Sequence, residues 1–292
     1  NGSAQCWQRS TSSSSTGYTS ADRWSYYAPS SLAISRSTDV PTGFQYAISI
    51  SGGGDSSGIT QKIEASTCKQ LVGATITVSF YLKQTTGSGT DKIAVALSRA
   101  NSEDSFGGTT SISSQTISTT SSYARYTCTF TSLPSEVANG LQLTIKSNGS
   151  GSVVYLITGV QLEVGQATPF EHLSFGETLA LCQRYYYHTY SYGTPAGTTF
   201  NQDYESPIII IGTGNHGMGV CNGVYPVEMR VAPALSFYSS DGTANKIRHW
   251  GGAHASYGTV NRSTRQILGM SFNAGTNPED FYSAALVCDA EL

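Results

Sequence analysis

Between Leu32 and Val164 apolar residues recur at every second position in short runs. Val78, Phe80 and Leu82 alternate with Thr77, Ser79, Tyr81 and Lys83. Ile93, Val95 and Leu97 repeat the pattern, as do Leu141, Leu143 and Ile145. A period of two marks strands with one buried and one wet face. The runs predict strands at Leu32–Arg36, Phe44–Ser51, Gly58–Ala65, Ala74–Lys83, Lys92–Ser98, Ser111–Ser118, Tyr123–Phe130, Leu141–Ser147 and Val153–Val164. Turn clusters such as Gly52-Gly53-Gly54-Asp55, Gly87-Ser88-Gly89 and Asn148-Gly149-Ser150-Gly151 separate them. Short strands at this spacing, with no βαβ alternation, predict an all-β fold built on an antiparallel jelly-roll sandwich.

The period changes between Ile157 and Tyr187. A strand runs out at Val164 and turns at Gly165, and Thr168 is held extended by Pro169. Ser174 stands three residues before Glu177, the spacing of a capping box. Leu179, Cys182 and Tyr186 fall at i, i+3 and i+7, one apolar helical face. Beyond it the two-residue period returns, predicting strands at Ser191–Phe200, Pro207–Ile211, Pro226–Val231, Ala234–Ser239, Lys246–Ala253, Ser256–Val260, Gln266–Phe272 and Ala284–Val287. The expected organisation is a jelly roll over residues 1–172, a short connector helix over 173–190 and a smaller C-terminal β-sandwich over 191–292. Residues 1–31 hold few apolar residues beyond Trp7, Tyr18, Trp24, Tyr26 and Tyr27, aromatics that need something to pack on.

Composition supports this reading and narrows the function. Of 292 residues 12% are charged, about half the usual share, while 31 glycines and 18 tyrosines suit turns and strands. A net charge of −3 with scattered Lys and Arg gives no footprint for nucleic acid. No apolar run is long enough for a membrane-spanning helix, so no membrane insertion is expected. No signal peptide opens the chain, and the start at Asn1-Gly2-Ser3 reads as a processed form or part of a longer protein. Six cysteines lie far apart with no CxxC pair, and a chain this size needs no staples, so buried free thiols are expected.

Candidate chemistry is sparse. Gly212-Thr213-Gly214-Asn215-His216-Gly217 matches the GxGxxG string, but the residues that follow cannot form the helix whose N-terminus holds a pyrophosphate. It reads as a glycine-rich β loop. The five histidines have no metal-ligand spacing and read as exposed loop residues. The carboxylates sit mostly in turns, and no GxSxG elbow is present, so no catalytic residues are assigned. Arg248-His249-Trp250-Gly251-Gly252-Ala253-His254-Ala255-Ser256-Tyr257 mixes aromatic rings, polar groups and glycines, a pattern suited to a sugar ring. Arg248, Trp250, His254 and Tyr257 are therefore the candidate carbohydrate-binding residues, with core packing of Trp250 and Tyr257 as the alternative.

Several strings resemble one family. Thr158-Gly159-Val160-Gln161-Leu162-Glu163-Val164-Gly165, Ala167-Thr168-Pro169-Phe170-Glu171 and Glu177-Thr178-Leu179-Ala180-Leu181-Cys182-Gln183-Arg184-Tyr185-Tyr186-Tyr187 are similar to tailed-bacteriophage structural proteins. Asn1-Gly2-Ser3-Ala4-Gln5-Cys6-Trp7-Gln8-Arg9 resembles that family's opening, although Ser10 stands where glycine is usual, and Asp22-Arg23-Trp24 resembles its DRW string. The resemblance covers residues 1 to about 190 well. It implies a virion protein, a tail fibre or similar appendage with a carbohydrate-module-like jelly roll. It also implies assembly as a homotrimer with other virion proteins as partners. In such a trimer Leu179, Cys182 and Tyr186 would be oligomer contacts. The expected function is non-enzymatic attachment to host cell-surface glycan. The alternatives are a capsid decoration or head-fibre protein and, behind it, a polysaccharide depolymerase. No cofactor is expected beyond a structural calcium ion, for which Glu163 is the candidate ligand.

Overall fold

In a computed structural model the alternating runs build strands that pair almost wholly antiparallel. The structure describes residues 1–28, 30–53, 56–86, 92–148, 153–201, 209–213, 218–249, 254–255, 259–261, 263–273 and 281–292. They form two units, Asn1–Phe175 with Leu292, and Gly176–Glu291.

The first unit is the jelly-roll sandwich. In chain order it contains β1 (Ser12–Ser13), β2 (Ser25–Tyr27), β3 (Ser30–Ser37), β4 (Ala47–Gly53), β5 (Gly58–Ile63), a short helix α1 (Ala65–Cys68), β6 (Ile76–Thr86), β7 (Lys92–Ser102), β8 (Ser105–Ser118), β9 (Ala124–Phe130), β10 (Leu141–Ser147) and β11 (Val153–Val164). One sheet has the order β1-β3-β4-β11-β6-β9, the other β2-β5-β10-β7-β8. Ile76, Val78, Phe80 and Leu82 of β6 face Ile93, Val95 and Leu97 of β7 and Leu141, Leu143 and Ile145 of β10 in one buried core. Burying each such side chain stabilises the fold by about 1.5–3 kcal/mol.

The N-terminal aromatics belong to this core, with Trp7, Trp24 and Tyr26 at 1% exposure or less. Their segment is tied by its own polar groups. Asn1 donates from Nδ2 to the Cys6 and Asp22 carbonyls at 2.9 Å, and its Oδ1 accepts from the Cys6 amide at 3.0 Å. Trp24 Nε1 donates to the Asn1 carbonyl at 3.1 Å. The buried Asp22 carboxylate accepts from the Gln8 amide and side chain and lies 3.4 Å from Arg9 Nη1. A charge this deep needs such partners. The two N-terminal strings that carry the phage resemblance therefore meet as a structural knot.

The second unit begins with α2 (Phe175–Gln183), of which Phe175 is counted with the first unit. Its strands are β12 (Tyr186–His188), β13 (Ile209–Thr213), β14 (Met218–Val224), β15 (Ala234–Tyr238), β16 (Ile247–His249), β17 (His254–Ala255), β18 (Thr259–Asn261), β19 (Ile267–Asn273), β20 (Phe281–Ser283) and β21 (Ala285–Asp289). They form a three-stranded sheet, β12-β21-β15, and a seven-stranded one, β17-β16-β20-β13-β14-β19-β18. Met229, Phe237, Ile247, Met270, Tyr282 and Leu286 lie in its core.

Several expectations are corrected here. The helix stops at Gln183, and Tyr186 opens β12 paired with Asp289, so Leu179, Cys182 and Tyr186 do not share a helical face. A bond from the Tyr185 amide to the Cys182 carbonyl tightens the last turn, and the β-prone tyrosines then join a sheet. The Ser191–Phe200 stretch is not a strand. Gly193 and Gly197 have φ near +84° and +82°, and i→i+3 bonds to the Ser191 and Pro195 carbonyls fold it into consecutive turns. Pro226–Val231 is not a strand either, since its amides bond irregularly, Met229 to Arg265 and Arg230 to Arg184. His188 is a buried strand residue, edge-on to Tyr186 and Tyr190, and not an exposed loop histidine. The GxGxxG string spans a hairpin in which Ile211 pairs Val220 and Thr213 pairs Met218, as a β loop requires; residues 214–217 lie outside the described residues. Cys68, Cys128 and Cys182 are buried free thiols, and Cys6 and Cys288 are buried thiols too. Among the described residues no helix is long and apolar enough to cross a membrane.

Candidate functional site

The two sheets of the first unit present polar outer faces of different fate. On β6 the outer residues are Thr77 and Ser79, at 2% and 0% exposure. The chain's own return segment after β11 covers them. Thr77 Oγ1 donates to the Gly165 carbonyl at 2.6 Å. Arg125 Nη2 donates to Ser79 Oγ at 2.9 Å and to the Thr168 carbonyl. Above them Phe44 packs against Tyr81, Phe170 and His172 with ring centroids 5.3, 5.1 and 4.9 Å apart. A bulge in β11 at Gly159 makes room: a Cβ there would stand 2.7 Å from Phe44 Cζ, and its φ of +62° suits glycine.

Among the described residues the outer face of β2-β5-β10-β7-β8 carries no such cover, and it forms an open trough of about 420 Å³. Register places its residues in rows. Ser25 pairs Thr60, Thr60 pairs Thr144, Thr144 pairs Ala96, and Ala96 pairs Ser114. One row along, Lys62, Gln142 and Ser98 align; on the other side Tyr27, Gly58 and Lys146 do. Rows two residues apart are roughly 6.8 Å from each other, and the five strands span roughly 19 Å. The centre is built of small residues, Thr60, Ala96 and Thr144, while Tyr27, Lys62, Gln142 and Lys146 form higher walls. Gly58 lets β5 and β10 approach: a Cβ there would meet the Ile145 carbonyl oxygen at 2.4 Å.

The wall groups are held in place. Lys62 Nζ lies 5.7 and 5.5 Å from the Tyr18 and Phe106 rings and donates to the Leu292 carbonyl. Lys146 Nζ reaches Ser56 Oγ at 3.4 Å, and Thr60 and Thr144 share a hydrogen bond at 3.3 Å. Burial pushes the Tyr27 phenol above its usual pKa, so at neutral pH it keeps its proton and can donate. Hydroxyl, amide and ammonium groups over a small-residue floor beside an aromatic wall can bond the hydroxyls of a polar ring lying flat on the sheet. No carboxylate lines the trough.

Of the residues expected to bind sugar, Arg248 and His254 are register partners across β16 and β17. Trp250 and Tyr257 lie outside the described residues. Glu163 clamps a turn: its carboxylate accepts from the Thr168 amide at 3.1 Å and from the Thr168 hydroxyl at 2.5 Å. Burial raises its pKa, but the bonds from Thr168 and Gln161 outweigh that and lower it overall. An ion at Glu163 would compete with those donors. The trough residues were not singled out from sequence, because a polar strand face reads the same whether it is open or covered. The sequence signal for the trough is the alternation of Ala94, Ala96 and Ser98 in β7.

No family model matches the chain, and no curated protein does. Among solved structures, the chain is similar to the CBM22-1 xylan-binding domain of Xyn10C from Paenibacillus barcinonensis, at 13% identity, with 53% of this chain and 92% of that one covered and a TM-score of 0.36. The C-terminal family 22 carbohydrate binding module of Clostridium thermocellum Xyn10B matches at 12% identity, covering 56% and 97%, with a TM-score of 0.38. The enzymatically active domain of tailspike protein 4 from bacteriophage CBA120 matches at 16% identity with a TM-score of 0.36, covering 49% of this chain and 19% of that one. Values this low say nothing about what this chain binds.

Proposed function

We propose that the first unit is a non-enzymatic glycan-binding module whose ligand lies across the trough, in a protein that serves a tailed bacteriophage as a surface appendage. The observation that carries the glycan reading is the open trough itself, a flat floor of hydroxyl-bearing and small residues walled by Tyr27, Gln142 and two lysines. The phage role rests on the sequence resemblance alone, and labelling the chain in intact particles tests it.

Titration of the purified protein against host cell-surface polysaccharide and a panel of neutral and acidic glycans tests the trough. Tyr27→Ala should weaken binding about tenfold, roughly 1.4 kcal/mol. Equal affinity of the variant, or no glycan bound by the native chain, would sink the reading.

A further inference from the structure

A sheet edge with unpaired backbone groups invites another strand, and proteins usually blunt such edges by shortness, charge or proline. Three of the four edges of the first unit follow that practice. β1 has two residues, β2 has three, and β9 has seven with Arg125 among them. β8 does not. It is 14 residues long, reads SFGGTTSISSQTIS, and contains neither charge nor proline. Ten of its residues are exposed. Its one described strand partner is β7. A bulge at Ile112 interrupts the pairing, because Leu97 opposes Ser113 while Ser98 opposes Ser111. From Ser113 to Ser118 the register is unbroken.

We infer that β8 is an interface at which a second copy of this chain pairs antiparallel, strand β8 to strand β8. A copy suits the edge because the strand presents no like charges to itself: its hydroxyls meet their own kind, and its one amide, Gln115, donates to the Thr129 carbonyl of β9. The register is also self-consistent. A two-fold axis at Gln115 brings Ile117 of each copy against the Ile112–Ser113 bulge of the other. Ile112 and Ile117 both pack on the core and are only partly buried by their own chain. Pairing would complete their burial with a cross-strand apolar contact.

The symmetry has a consequence. Antiparallel edge pairing of identical strands places the two-fold perpendicular to the sheet, so the same face of both sheets points the same way. Ser114 and Thr116 of β8, register partners of Ala96 and Ala94, extend the trough rows to the edge. The two troughs then join across a ten-stranded sheet, and one extended polymer could lie across both copies. That consequence depends on the glycan reading; the interface does not.

The test is the mass of the full chain in solution by light scattering, with hydrogen exchange across a dilution series. Two copies are expected, in place of the three that the family resemblance implies, with β8 amides protected in proportion to the dimer population. Ser113→Lys puts a charge beside the partner's Ile117 at a position that is exposed in the single chain, so it should give a folded, one-copy protein. Ser113→Thr should leave the dimer intact. A one-copy native protein at every concentration overturns the interface. So does any assembly, three copies included, whose mass and β8 exchange are unchanged by Ser113→Lys. Glycan binding by a one-copy native protein would keep the trough reading and remove this one.

Discussion

The outer faces of the two sheets begin from the same strand grammar and end in opposite states. Thr77 and Ser79 on β6, and Thr60 and Thr144 on the other sheet, are short polar residues at alternate positions beneath which lie Ile, Val and Leu. Over β6 the return segment Gly165–His172 bonds Thr77 directly through the Gly165 carbonyl and reaches Ser79 through Arg125, and Phe44 and Phe170 pack together above. Over β5, β10 and β7 nothing in the first unit does this, and the hydroxyls face a trough. A polar strand face is therefore not by itself a binding face. What distinguishes the two is whether the chain supplies its own ligand, and the covered sheet shows how hydroxyls, a cation and aromatic rings can be satisfied at once.

The sharpest way to break that difference is to fill the open face. Ala96→Tyr raises a ring from the trough floor, much as Tyr81 rises from β6. Glycan affinity should fall at least about 100-fold, about 2.7 kcal/mol, while the urea midpoint moves by no more than about 0.5 kcal/mol in stability. Retained binding would mean the ligand does not use the trough. The converse is to uncover the closed face. Arg125→Ala removes the donor that ties Ser79 to Thr168 and should cost about 1.5–3 kcal/mol in urea unfolding, without effect on glycan binding.

A third test leaves both faces alone and probes what lies between them. Burial pushes the Cys68 and Cys128 thiols up to about 11 from 9.0. The unfolded chain thus loses these protons before the folded one does. Their contribution is complete below pH 9 and is lost as pH rises towards 11, so urea midpoints should decline over that window. Burial raises the buried phenols of Tyr26 and Tyr155 as well, adding to the decline at higher pH. A flat profile from pH 8 to 11 would show that these groups are wetter than the structure has them.

Much of the first unit was legible because the period of two survives wherever one strand face is buried. Each of the nine strands expected between Leu32 and Val164 has a counterpart, β3 to β11. The second unit was less so. Met218–Val224 was missed because two glycines and Asn222 dilute its pattern, yet Leu268 and Met270 of β19 pair with it. Tyr186 continued a helical period past Gln183 by coincidence of spacing, and pairing with Asp289 overrode it. The trough was illegible for a different reason. Its rows join residues 25, 60, 96, 114 and 144, and only strand order brings them together. The Arg248–Tyr257 candidate rests on aromatic and polar residues near one another in sequence, the one kind of proximity a single sequence displays, and Trp250 and Tyr257 lie outside the described residues.

The order of strands also sets a sequence of events. β7 and β8 are joined by the turn at Glu103-Asp104, whereas β4 must meet β11 and β5 must meet β10 across some 80 to 110 residues of chain. Contacts near in sequence form before distant ones, whose loops cost more entropy to close. The β7–β8 ribbon is thus available early, while the sandwich is still open, and its unprotected edge is on offer throughout. A nascent chain that meets another at this stage would find the same strand that the finished protein presents, so encounter of two copies need not wait for folding to end.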